Sequence, residues 1–567
     1  MKNTILITVL LIYLFSYFEI FPQGKNNQYS TINKININDR YDYIAINQIK
    51  MWIGNNGLGS HDPSTTHGAG FYWPGGEDAV RTAAWIDGLM WLGYVDDSLR
   101  ASGSKYYPSL QAGKILENGQ ADDPTLLKYR VYKIKKDWEE FFPGPMRDKY
   151  ENNYNEWPME DGAPYLDIDG DGKYSAGIDQ PRFTDDEVLW CVMNDLDTVR
   201  TNRFFRSLPI GIEIQMTVYG FDNINLDNVV FKKYRIINKS PHTIDSMYFT
   251  YFSDPDLGDA VDDYVGCDTA LNLAYCYNGD NYDGDGTRYT YGTPPPAVGY
   301  LLVQGPIKKG SDSDSAHYDD RWIKGYINDK LHSFSFYSSI VQSCHQGPMA
   351  FTPQVYYQLV NGKVYEPRCH RYLIDIIDPY SGENTIIMCP GDPVAGTGWY
   401  EGDGCPEGPP PGDRKMLMST GPVTLAPADT QEVAIAILMA QGSDNIHSVA
   451  ELKKFAKTVQ YFYDHYTPEQ VNIDYEPPKP EYYYLSQNYP NPFNPVTTIM
   501  YELPRKEIVT LKVYDILGNE IANLVEGEQE AGEYQVKFSS DGLPSGIYFY
   551  TINAGVFSRT KKMVVVR

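Results

Sequence analysis

Glycine and proline interrupt this chain from end to end: its 48 glycines and 38 prolines are scattered as turn punctuation and are not gathered in one tract. The segments between them are short, and aromatic residues make up 14% of the chain, with 48 tyrosines against 22 phenylalanines. Short aromatic-rich runs between turns favour strands, because long helices need uninterrupted sequence whereas aromatic and β-branched side chains pack well on a pleated surface. Single cores stop growing at roughly 250–300 residues, so a chain of 567 residues is expected to divide into more than one domain.

The formal charge is −26, and no cluster of lysine and arginine overrides that field locally, which makes nucleic acid an unfavourable partner. The same acidity suits divalent cations, which take carboxylate oxygens, although it also serves simply to keep an exported protein soluble. At the N-terminus Lys2 precedes an apolar run from Ile5 to Phe18, the layout of a secretory signal peptide, expected to cover residues 1–24. Seven cysteines would then enter an oxidising compartment, where spacing suggests Cys267 with Cys276 and Cys389 with Cys405, and a Cys344–Cys369 link is favoured over a zinc site at Cys344-His345 and Cys369-His370.

Near the C-terminus, residues 474–484 (DYEPPKPEYYY) have the composition of a stiff linker. Beyond it, Thr497–Leu503, Ile508–Tyr514, Gly532–Phe538 and Gly546–Ile552 alternate in character, with Val509, Leu511 and Val513 expected to face inward. Pro490, Pro492 and Pro495 fix φ and remove backbone donors, so YPNPFNP cannot continue a central strand and reads as a rigid lead-in. The YPNPFNP opening, TTIMYELP, VTLKVYDILGNEIANL, LPSGIYFYTI and the closing TKKMVVVR occur in this order. Together they resemble the type A C-terminal sorting domain of the type IX secretion system, over residues 485–567. The resemblance implies a small immunoglobulin-like β-sandwich, with Tyr489, Pro490, Asn491, Pro492, Phe493, Asn494, Pro495, Gly546, Tyr548 and Lys562 as signal residues. It also implies passage through the periplasm, recognition by the outer-membrane translocon, removal of the tail by a sortase-like protease, and a secreted or cell-surface product.

The body in front of the tail resembles regions joined to the same tail in other exported proteins, and nothing functional carries over from them. By its own residues it divides into a β-rich N-terminal region, 25–204, and a β-sandwich-like domain, 205–473, that ends in a helix. Val229–Asn238 and Ile244–Ser253, joined by KSPHT, are expected to form a hairpin, and VAIAILMA a buried strand. Ser448 and Glu451 have capping-box spacing ahead of an apolar face made by Val449, Leu452, Phe455, Ala456, Val459, Phe462 and Tyr463. The expected fold is mainly β and multidomain: a β-sandwich-like body with one C-terminal helix, then the sorting domain.

The sharpest local motif in the body is DIDGDGKYSAGID, Asp167–Asp179. Asp167, Asp169 and Asp171 alternate, and Gly172 holds the sixth position, as in calcium loops; Lys173 would offer its carbonyl and Asp179 the late acidic ligand. Position twelve holds Ile178, and Pro164 and Pro181 oppose flanking helices, so a free-standing calcium loop is expected, with a plain acidic turn as the alternative. A second acidic run supplies Asp254, Asp256, Asp259, Asp262, Asp263 and Asp268, which as paired acid and base would suit glycosidic cleavage. No G-x-S-x-G, phosphate loop, HExxH or CxxC spacing occurs. The reading is therefore an exported, calcium-stabilised binding or structural module, its ligand an extracellular glycan or protein. The alternative is a secreted glycoside hydrolase or other polymer-degrading enzyme using the Asp254–Asp268 carboxylates.

Overall fold

The structure, a computed structural model, describes residues 40–566 apart from 66–67, 77–78, 172, 183–184, 285, 339–350, 366–372, 406–407, 466–478, 481 and 489. The expected signal peptide, Cys344, Cys369 and most of the proline-rich linker lie outside the described residues. Among those described, no helix is long and apolar enough to cross a membrane.

The fold is mainly β. The body is built on two antiparallel sheets. The larger runs Asp263–Asp268, Leu273–Asn278, Ala297–Gln304, Thr430–Ala440, Val229–Asn238, Ile212–Gly220, Glu187–Asn194 and Gln111–Ala112, and Tyr132–Lys135 also pairs with Glu187–Asn194. The smaller runs Leu331–Ser338, Arg414–Leu425, Ile244–Asp254, Ile86–Val95 and Ser98–Gly103. Leu89, Trp91, Phe249, Tyr251 and Met416 of the smaller sheet share one core with Leu189, Ile214, Val230, Ile435 and Ile437 of the larger. Strands from both sides of residue 204 lie in both sheets. A boundary at 204/205 therefore does not follow the architecture, because hydrogen-bonding partners are recruited across it.

The expected hairpin is not formed. Val229–Asn238 pairs with Ile212–Gly220 and Thr430–Ala440, while Ile244–Asp254 pairs with Ile86–Val95 and Arg414–Leu425. Both strands are interior and need a neighbour on each side, so the short link carries the chain from one sheet to the other. The buried strand near residue 435 is present as Thr430–Ala440, apolar on both faces because one meets the second sheet and the other a helix.

That helix is Asn445–His465, whose Val449, Leu452, Ala456, Val459, Phe462 and Tyr463 are buried on the larger sheet. It begins one turn before the expected cap. Asp444 Oδ1 accepts the His447 N–H at 2.8 Å, while Ser448 Oγ donates to the Pro295 carbonyl at 2.7 Å and so is not a cap. Shorter helices, Pro353–Val360 and Thr198–Phe205, cover the outer face of the smaller sheet, and Pro145–Asn155 lies against Tyr132–Lys135.

Cys191, Cys267, Cys276 and Cys389 are free thiols, so the expected Cys267–Cys276 and Cys389–Cys405 links are not formed. Cys276 lies opposite Val265, and Cys267 opposite Ala274. The two cysteines are thus diagonal neighbours, roughly 7–8 Å apart in such a pair, too far for an unstrained disulfide.

The tail is a separate β-sandwich. Tyr484–Leu485, Val496–Leu503 and Gly532–Ser539 form one sheet; Glu520–Gln529, Glu507–Tyr514, Gly546–Ala554 and Phe557–Val565 form the other. Val509, Leu511 and Val513 point into its core with Ile499, Tyr501, Tyr550 and Ile552, as their alternation predicts.

Candidate functional site

The Asp167–Asp179 segment spans a hairpin tip between Tyr165–Leu166 and Gln180–Pro181, with no flanking helix. Carboxylate oxygens of Asp167, Asp169 and Asp179 lie within 4.8 Å of one another. Asp179 is the buried member and ties the loop together, accepting the Ile168 N–H at 2.8 Å and the Ser175 N–H at 2.6 Å. Asp167 and Asp169 are exposed; Asp167 accepts the Gly170 N–H at 2.8 Å, where φ is +71° and a side chain would be strained. Asp171 and Lys173 are exposed and outside the convergent group, and Asp171 Oδ1 accepts the Lys173 N–H at 2.8 Å. The late acidic residue, one step past the usual twelfth position, is thus the one that turns inward.

Beside this loop lies a cleft of about 1100 Å³. Its walls include Arg130, Asn152, Asn155 and Glu156 on and next to the helix Pro145–Asn155, and Tyr174 and Ala176 of the acidic loop itself. Arg130 is held by Asn153 Oδ1 at 3.0 Å and Glu156 at 2.8 Å. Sequence reasoning missed this cleft. The helix has little apolar periodicity, and the only signal for it is Pro145 at its first position.

The six carboxylates of the second acidic run separate into three settings, and none lines that cleft. Asp254 and Asp256 are buried beside Asp413; Asp254 accepts from Tyr106 Oη at 2.7 Å and pairs with Lys415 Nζ at 2.8 Å, while Lys415 also contacts Asp413. Burial, with Asp256 and Asp413 adding to it and Lys415 opposing, pushes Asp254 up to about 8. Asp268 pairs with Lys453 of the long helix at 3.1 Å. Asp259, Asp262 and Asp263 gather at the sheet end near Asp283.

In the tail, Phe493 is buried and its N–H donates to the Val564 carbonyl at 3.0 Å, while Asn491 Oδ1 accepts the Val564 N–H at 2.8 Å. The proline-rich lead-in is thereby stitched to the last strand. Tyr548 is buried, with its hydroxyl on the Pro544 carbonyl at 3.1 Å. Pro490, Pro492, Asn494, Pro495, Gly546 and Lys562 remain exposed, and Tyr489 lies outside the described residues. The tail also docks on the body. His447 Nε2 meets Glu502 at 2.9 Å, and Asp444 Oδ2 takes Tyr484 Oη at 2.7 Å and Lys561 Nζ at 3.1 Å.

No curated protein matches the chain. Among solved structures, a polysaccharide lyase is similar at 8% identity and a TM-score of 0.17, over 62% of this chain and 34% of that one, too slight a likeness to carry an argument. Residues 487–566 match the family described as the secretion system C-terminal sorting domain. The C-terminal sandwich is that sorting domain, and it marks the chain as cargo of the type IX secretion system.

Proposed function

We propose that the body is a calcium-stabilised binding module that works outside the cell, with the cleft beside the acidic loop as its ligand surface and a glycan or protein as its ligand. The observation that carries this reading is the shared wall: Tyr174 and Ala176 line the cleft and lie between Asp169 and Asp179 in the chain. An ion held by Asp167, Asp169 and Asp179 would fix that wall. The Asn152 and Asn155 amides, Arg130 and Glu156 supply the directional donors and acceptors that hydroxyl-rich ligands require. The hydrolase alternative finds less support, because Asp254 and Asp268 are already engaged by lysines and sit away from the cleft.

The calcium part is tested by calorimetry and thermal unfolding. At about 1 mM calcium and a Kd of roughly 10–100 μM, the ion adds about 1.4–2.7 kcal/mol, a melting shift of a few degrees. The Asp169→Ala chain should respond less; an equal response would remove the loop as a metal site. The binding part is tested with a panel of immobilised glycans and extracellular polymers. The expected result is binding that calcium strengthens and Asn152→Ala weakens, and a panel bound equally by wild type and variant would dismiss the cleft.

A further inference from the structure

Between the smaller sheet and the helices that cover its outer face lies an apolar layer to which Met90, Leu92, Phe205, Phe351, Tyr356 and Leu359 contribute. One amine reaches it. Lys105 lies just after the edge strand Ser98–Gly103, and its Nζ stands 3.7 Å from the centre of the Phe351 ring and 5.9 Å from that of Phe205. The two rings meet edge to face at 6.1 Å, and both are buried, whereas Lys105 itself is half-buried.

The buried lysines of the body each have a carboxylate: Lys133 pairs with Glu187, Lys232 with Asp87, Lys415 with Asp254 and Lys453 with Asp268. Lys105 has none. Among the described residues nothing forms an ion pair or a hydrogen bond with it, and residues 339–350, which precede Phe351 in the chain, contain no aspartate or glutamate. Burial therefore acts on the amine without a charged neighbour to oppose it and lowers it to about 7. A ring face attracts an ammonium by about 0.5–2 kcal/mol, less than the several kcal/mol that an uncompensated charge costs on leaving water. Desolvation wins, and a large share of the amine is neutral at neutral pH.

We propose that Lys105, with its amine against the Phe205–Phe351 pair and its side chain partly open to solvent, is a covalent attachment site for aldehydes. The nitrogen lone pair attacks the carbonyl carbon, a nitrogen proton passes to the former carbonyl oxygen, and the carbinolamine loses water to leave a C=N bond. One aldehyde and one amine give one imine and one water, with no oxidant or reductant. An ammonium has no lone pair to offer, so exposed lysines compete poorly at neutral pH. The flanking rings suit an aldehyde with a flat apolar body, which offers them a face or an edge. The site stands apart from the acidic hairpin loop, and Lys105 does not line the cleft.

The test is limited labelling of the folded chain with benzaldehyde at neutral pH, the imine being trapped by cyanoborohydride as a benzylamine and located by peptide mass spectrometry. Lys105 should be labelled roughly tenfold or more faster than the exposed Lys309 and Lys537. Labelling of Lys105 no faster than theirs, or none at all, overturns the proposal. In guanidinium chloride the preference should vanish, because the fold creates it. A preference that survives denaturation comes from the local sequence and overturns the proposal as well. Neither arm needs a variant that has to fold.

Discussion

His447 of the body's last helix and Glu502 of the sorting domain meet through Nε2 and Oε1 at 2.9 Å, and the imidazole is 2% exposed. His447 Nδ1 accepts the Ser443 N–H at 3.0 Å, which leaves Nε2 as the donor toward Glu502. Tyr484 stacks on the ring at 4.2 Å between centroids. The tail is therefore held to the body by directional, partly buried polar contacts as well as by the chain itself.

Glu502→Ala should loosen that docking, because His447 Nε2 loses its acceptor across the interface and keeps only Glu451 of its own helix at 3.3 Å, a loss of about 1 kcal/mol. Hydrogen exchange in the first turn of Asn445–His465 should accelerate by roughly 5- to 30-fold for each 1–2 kcal/mol lost, with little change in the two large sheets. Unchanged exchange would mean that the contact contributes nothing to docking.

Lys232 and Asp87 form an ion pair between the two sheets, with side chains 1% and 0% exposed, and Ser60 Oγ donates to the same carboxylate. Gly59 is required beside them, since a Cβ there would fall 2.1 Å from both Asp87 Oδ1 and Lys232 Nζ. Lys232→Met leaves a buried carboxylate uncompensated and should cost about 3–5 kcal/mol, whereas the double change Lys232→Met with Asp87→Leu should cost less. Urea unfolding of both variants checks the order.

Asp195 is fully buried and accepts the N–H groups of Ile210, Gly211 and Ile212 at 2.9–3.0 Å. Burial pushes its carboxyl up to about 6, against the pull of those donors. A carboxyl whose folded value is raised stabilises the fold below about pH 4, and that contribution is lost as pH rises through about 6. The change is on the order of 3 kcal/mol. The stability margin of the wild type over Asp195→Asn should shrink between these pH values; a constant margin in denaturant titrations would contradict the assignment.

Cys191, Cys267, Cys276 and Cys389 are buried thiols, and burial raises the thiol of each above its ordinary value. They should be inert to a thiol reagent in the folded chain and titrate fully once it is denatured without reductant. Fewer than four new thiols on denaturation would show that some of them pair in the mature protein.

Deleting residues 485–567 should leave the body in the periplasm, since a signal peptide reaches only that compartment and the sorting domain supplies the next step. Cell fractionation decides, and undiminished appearance of the truncated chain outside the cell would refute the dependence on the tail.

The sorting domain was legible from sequence because its information is local. Val509, Leu511 and Val513 alternate within one strand, and the prolines of YPNPFNP set their own backbone. The same locality made the Thr430–Ala440 strand and the turn within Asp167–Asp179 readable. Partner choice was not legible. Val229–Asn238 and Ile244–Asp254 each bury most of their length, so their pattern does not say which sheet either joins, and the pairing follows from strands as distant in the chain as Leu438 is from Val229. The acidic run from Asp254 to Asp268 gives six similar carboxylates, and only the fold sends Asp254 to Lys415, Asp268 to Lys453, and Asp262 and Asp263 to the sheet end beside Asp283. Sequence determined which residues could carry charge, turn or strand. Tertiary structure alone decided which charges are desolvated and what faces them, because burial and Coulomb energy depend on distance in space and not on separation along the chain.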